Sequence, residues 1–124
     1  MSYNISWCED KRVFCVRLTG ELTDEDWAKV VVIDTRHLEE GIAPVHIIID
    51  VSELDSFPTN VRQTASYASH LRDPRLGWAV VVGGNPLLDF VASLLSQITG
   101  FKLTKSGTPE AALEFLRTQD ATLM

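Results

Sequence analysis

Positive charge is in short supply in this chain. Its 11 lysines and arginines stand against 17 acidic residues, a formal net charge of −6. A protein that grips nucleic acid through its phosphates normally carries a basic face, so nucleic acid is not expected as a partner. Long apolar runs are also missing. The most apolar stretch, Trp78 to Ile98, is broken by Gly83, Gly84, Asn85, Pro86 and Asp89, whereas a bilayer span takes about 20 mostly apolar residues. Membrane insertion is therefore not expected. Met1 to Arg12 has no basic segment leading into an apolar core and does not read as a secretory signal. Histidine is sparse, and His37, His46 and His70 share no metal-ligand spacing. None of them adjoins a Ser or Cys in a nucleophile turn.

Only two cysteines occur, Cys8 and Cys15, on either side of the polar turn Glu9-Asp10-Lys11-Arg12. Tyr3, Ile5 and Trp7 alternate with polar residues, as do Phe14, Val16 and Leu18. If both apolar sets share one face of a hairpin, Trp7 opposes Phe14, Ile5 opposes Val16 and Tyr3 opposes Leu18. In that register the cysteines form a diagonal pair about 7–8 Å apart, too far for an unstrained disulfide. Free thiols and a cytoplasmic location are the expectation, and two cysteines alone supply too few ligands for a metal.

What is present amounts to one domain. The 124 residues are 45% hydrophobic and 23% charged, close to the average for globular chains. A single domain over residues 1–118 is expected, with a frayed tail at 119–124. After the hairpin, Thr23-Asp24-Glu25-Asp26 reads as a capped helix start with acids at the positive end. Trp27 to Glu40 is assigned as helix although the β-branched run Val30-Val31-Val32-Ile33 opposes it. Gly41 is the stop. Val45 to Val51 reads as a buried strand. Pro58 opens a helix over roughly Thr59 to His70, and Trp78 to Val82 is a second buried strand. Asn85 and Pro86 start a helix to Thr99, Phe101 to Lys105 is a short strand, and Thr108-Pro109-Glu110 starts a last helix to about Arg117. The order β-β-α-β-α-β-α-β-α implies an α/β fold, a mixed, mostly parallel sheet packed against helices.

That order, with three segments, resembles the STAS fold, and in particular the SpoIIAA-like branch of anti-sigma-factor antagonists. The segments are Val16-Arg17-Leu18-Thr19-Gly20-Glu21-Leu22, then Ile49-Asp50-Val51-Ser52-Glu53-Leu54-Asp55-Ser56. The third runs from Asn85-Pro86 through Thr99-Gly100-Phe101 to Glu110-Ala111-Ala112-Leu113. The resemblance implies a regulatory, non-enzymatic domain with a protein partner or a second copy of itself. It also implies a phosphoacceptor after the Asp-Ser pair, where the family carries Ser or Thr and then Gly. Here Asp55-Ser56 is followed by Phe57-Pro58, and Phe57 has no hydroxyl. Ser56 or Thr59 are the substitutes at hand, since phosphate beside a helix N-terminus is electrostatically favoured. Capping of the Pro58 helix is the plainer role for both.

A ligand or partner site is expected where Asp50, Asp55, Ser56 and Phe57 meet Gly83, Gly84 and Asn85, at the carboxyl ends of two parallel strands. Gly-Gly-Asn-Pro lacks the Lys and Ser/Thr of a P-loop, so a tight turn is the competing reading. Asp50 sits where receiver domains of related topology are phosphorylated, a chemistry that also needs an acidic cluster near the first strand and a Lys after a later one. Here the first strand ends Trp7-Cys8-Glu9-Asp10 in a hairpin, which does not set up that chemistry, and a capped turn is the expected role. His46 is expected to be a hydrogen-bonded structural histidine. No carboxylate pair, catalytic residue or cofactor is indicated. The alternative to a partner-binding domain is a small-molecule or lipid carrier with a pocket formed by Phe57, Trp78, Leu87 and Phe90, since SpoIIAA-like domains resemble Sec14-type lipid-binding domains in topology.

Overall fold

The computed structural model describes residues 3–56, 73–83 and 102–123. The helices expected at 59–70 and 86–99, and with them Phe57, Thr59, Gly84, Asn85, Leu87 and Phe90, lie outside the described residues. Strands β1 (Tyr3–Glu9), β2 (Val13–Glu21), β3 (Val45–Ser56), β4 (Leu76–Val82) and β5 (Leu103–Ser106) form one sheet in the order β1-β2-β3-β4-β5. β1 and β2 are antiparallel, and the remaining pairs are parallel. Helix α1 (Asp24–Glu40) follows β2, and α2 (Pro109–Gln119) follows β5. The mixed α/β class is as expected.

Each central strand serves two cores because successive side chains point to opposite faces. Phe14, Val16, Leu18, Ile47, Ile49, Val51, Ala79 and Val81 pack with Trp27, Val30 and Leu38 of α1. The interleaved Val13, Ile48, Val80 and Val82 pack with Ala112 and Leu116 of α2. α1 starts with a full capping box: the Thr23 hydroxyl accepts from the Asp26 amide while the Asp26 carboxylate accepts from the Thr23 amide. Its buried residues Trp27, Val30, Asp34 and Leu38 follow helical spacing, and Gly41 is the C-cap. The propensity cost of the valine run is outweighed by burying Val30 completely, while Val32 stays 60% exposed. At Gly20 the φ of +65° lies in the left-handed region, where the β2–β3 register shifts between Gly20 and Glu21. Only glycine takes that conformation without a Cβ penalty.

The hairpin register is the expected one, Tyr3 opposite Leu18, Ile5 opposite Val16 and Trp7 opposite Phe14. The expectation of free thiols is corrected, because Cys8 and Cys15 are joined in a disulfide. The ladder slips between Trp7 and Glu9, so that Glu9, not Cys8, opposes Val13. Cys8 is the extra residue of a β-bulge, which bends the strand locally. The bend leaves the two Cα atoms 6.0 Å apart, inside disulfide reach. The route from free thiols to a cytoplasmic location thereby loses its premise. No described helix is long and apolar enough to cross a membrane. Because the bridge closes a loop with a sequence separation of 7, reducing it should lower stability by about 2 kcal/mol through loop entropy. Urea midpoints with and without dithiothreitol measure this, with Cys8→Ser as the reagent-free control. Coincident midpoints would refute it.

Residues 120–123 of the segment expected as a frayed tail make defined contacts. Leu123 is buried against the α2 core, and the carboxylate of Asp120 is held by His46 and Arg12.

Candidate functional site

The segment expected to leave the sheet after Val51 as a loop is strand up to Ser56. Asp50, Ser52, Glu53, Asp55 and Ser56 are turn-forming or charged types, but β2 runs alongside and pairs with Asp50, Glu53 and Ser56, its register shifting past Ser52 and Asp55. Thr19 pairs with Glu53, Gly20 with Leu54 and Glu21 with Ser56, and the Leu22 amide donates to the Ser56 carbonyl at 3.1 Å. β4 stops earlier, at the Asp50–Val82 pair. Among the described residues, the far half of β3 therefore has no β4 partner and pairs with β2 alone.

This geometry divides the expected site residues. Gly83 follows Val82, the cross-strand partner of Asp50, and a Cβ on Gly83 would sit 3.4 Å from the Ser52 amide nitrogen and from Val51. Asp55 and Ser56 lie five and six residues beyond Asp50 along an extended strand, roughly 16–20 Å away at the usual rise. Asp50 Oδ1 accepts from the Ser52 amide at 3.0 Å and from the Ser52 hydroxyl at 2.5 Å. Arg17 forms an ion pair with Glu53. Asp55 is exposed and Ser56 half-buried. The Trp78 ring packs edge-on to Phe115 at 5.0 Å, with Lys102 above it, so it belongs to the α2 core.

A second polar cluster, of which sequence reasoning identified only the histidine, lies at the opposite end of β3. His46 is 2% exposed. Its Nδ1 accepts from the Trp78 amide at 2.9 Å, which assigns the proton to Nε2, and Nε2–H donates to Asp120 Oδ2 at 2.9 Å. Arg12 donates to the same carboxylate at 2.8 Å and to the Thr122 hydroxyl at 2.9 Å. Burial lowers the His46 pKa, against the opposing pull of Asp120. The hydrogen bonds from His46 and Thr122 hold the Asp120 carboxyl well below the usual carboxylate range. Both ring nitrogens are engaged and the neutral tautomer is the one satisfied, so the cluster works as a structural clasp between β3, β4 and the C-terminal segment. The expected structural role of His46 is met. Asp120 gave no local signal, because its partner is 74 residues away.

A third feature concerns partners. β1 is an edge strand, and beside it Tyr3, Ala28, Lys29, Val32 and Ile33 border a groove of about 480 Å³. Edge strands without a proline or lysine, as in Tyr3–Glu9, offer outer hydrogen-bonding groups for pairing, and no described strand pairs with that side of β1.

A five-stranded sheet with one antiparallel edge hairpin, parallel strands beyond it and helices on both faces defines the SpoIIAA-like α/β fold, and solved structures agree. An uncharacterised protein of the DUF3478 family from Shewanella loihica, described as having a SpoIIAA-like fold, superposes with a TM-score of 0.67 at 17% identity, covering 92% of this chain and 91% of that one. The anti-sigma factor antagonist SpoIIAA in its unphosphorylated form gives 0.67 at 15% identity, with 94% and 96% covered. The phosphorylated form of the Bacillus cell fate determinant SpoIIAA gives 0.64 at 16%, with 93% and 99% covered. No protein-family model matches the sequence. No curated protein matches it either. At these identities the likeness establishes the fold.

Proposed function

We propose that this chain is a non-enzymatic regulatory domain that acts by binding a protein partner. The observation that carries the reading is the end-to-end likeness to SpoIIAA, whose solved forms are an anti-sigma factor antagonist and its phosphorylated state. The partner surface comprises the β3 extension ending at Asp55 and Ser56, with Phe57 beyond it, and the open edge of β1 beside α1. Phe57 stands where the SpoIIAA-like pattern has its phosphoacceptor. Binding in this protein is therefore not controlled by phosphate at that position, and Ser56 and Thr59 are the nearby hydroxyls left to carry such control. Self-association through β1 and the Val32 groove is part of the same reading.

Light scattering on the purified protein over a concentration series, with capture from native lysate of the source cells, tests this. A dimer, or a stoichiometric partner lost on Asp55→Lys, supports it. A strict monomer that retains no partner overturns it. Phosphopeptide mapping over Ser52, Ser56 and Thr59 then separates a switched domain from a constitutive one.

A further inference from the structure

Arg17 and Asp50 are direct cross-strand neighbours on β2 and β3, and both line a cavity of about 300 Å³ on the α2 side of the sheet. Opposite charges at adjacent strand positions ordinarily pair with each other. Here they do not. Arg17 turns to Glu53, in an ion pair whose side chains are 52% and 59% exposed, and Asp50 Oδ1 is occupied by Ser52. Among the described residues, Asp50 Oδ2 and the remaining guanidinium N–H groups of Arg17 have no protein partner. Exposed ion pairs contribute little, so Arg17 gives up Glu53 at small cost. The Asn4 amide and Ser6 hydroxyl stand at the same cavity, Ile48 forms apolar lining, and Pro109 brings the amino end of α2 to it.

We propose that this cavity binds a small zwitterion, an α-amino acid with a short polar side chain. Its carboxylate meets the Arg17 guanidinium, the donor geometry best suited to carboxylates, and the partial positive charge at the α2 terminus adds to the attraction. Its ammonium group meets Asp50 Oδ2, and its side chain meets Asn4 and Ser6. A ligand with one charge leaves either Arg17 or Asp50 without its counterpart. The volume is at the small end of ligand cavities, which excludes a nucleotide or an acyl chain. The proposal goes beyond partner binding and does not depend on it, because the cavity lies on the sheet face and not along the outer edge of β1 or at Asp55.

Isothermal titration calorimetry at low salt with L-serine, ethanolamine and 3-hydroxypropionate is the test, the last two being serine without its carboxylate and without its amine. L-serine is expected to bind, with each one-charge relative at least roughly tenfold weaker. Arg17→Gln and Asp50→Asn are each expected to weaken L-serine by a similar factor. Both positions are solvent-accessible, and unchanged melting curves verify that the variants are folded; for a variant that is not, Asn4→Ala replaces it, with a weaker affinity expected. No heat up to about 10 mM L-serine, equal binding of the one-charge relatives, or binding indifferent to the substitutions would each overturn the proposal.

Discussion

Val30→Asp is expected to abolish cooperative folding, whereas Val32→Asp, two residues on in the same helix, is expected to leave stability within about 0.5 kcal/mol. Val30 is fully buried and belongs to the core formed by Phe14, Val16, Ile47 and Trp27. A carboxylate there loses its hydration without gaining a partner, and protonation still leaves a polar group in an apolar site. A cost of roughly 4 kcal/mol or more follows, a large share of the marginal stability of a domain this size. Val32 is 60% exposed at the groove beside β1, so its replacement removes no core contact. If the chain self-associates through this groove as proposed, the effect of Val32→Asp should appear there, as weaker association. Circular dichroism and urea titration read the first effect and light scattering the second. A Val30→Asp protein that melts within a few degrees of the parent would contradict the packing described here.

His46→Ala is expected to cost about 3 kcal/mol. The substitution empties a buried ring site, leaves the Trp78 amide without its acceptor and takes from Asp120 one of the donors that stabilise its charge. The pocket is shaped closely to the ring, since a Cβ on Gly77 would lie 2.5 Å from two of its atoms. Gly77→Ala should therefore destabilise through the same cluster by displacing the imidazole.

The cluster also sets a direction for pH dependence. The His46 pKa is lowered on folding, so the unfolded chain binds more protons in the interval below 6.5, and stability falls as pH drops through it. Asp120, whose pKa is also lowered, contributes stability that is complete above its unfolded value and is lost as pH falls further. The two losses act in the same direction and in succession. His46→Gln should be less stable at pH 7 but flatter between about pH 7 and 5, as measured by urea midpoints at each pH. Parallel curves for parent and variant would show that His46 is not the titrating group.

Much of this arrangement was legible in the chain. Period-two alternation in Tyr3–Trp7 and Phe14–Leu18 determined the hairpin register, because a one-residue slip would turn every apolar side chain to the wrong face. Thr23 with Asp26 marked the start of α1, since capping uses only groups a few residues apart. The apolar β-branched run from Val45 marked a strand buried on both faces. Each of these signals is local, and local chemistry suffices to read it.

Other features have causes that are remote in sequence. Cys8 gives no sign of being the bulged residue, and without the bulge the disulfide is out of reach. Asp50 to Ser56 has turn composition, yet the neighbouring stretch of β2 supplies the hydrogen bonds that keep it extended. Asp120 lies in what reads as a loose tail until His46 and Arg12 are placed beside it. The scarcity of positive charge and of long apolar runs is a matter of composition and was legible without the structure. Where the few charges act was decided by tertiary structure: Arg17 beside an Asp50 it does not pair with, and Arg12 clamped on Asp120. The register between strands far apart in the chain and the closing of distant segments bring such groups together, and neither is written in any short window of sequence.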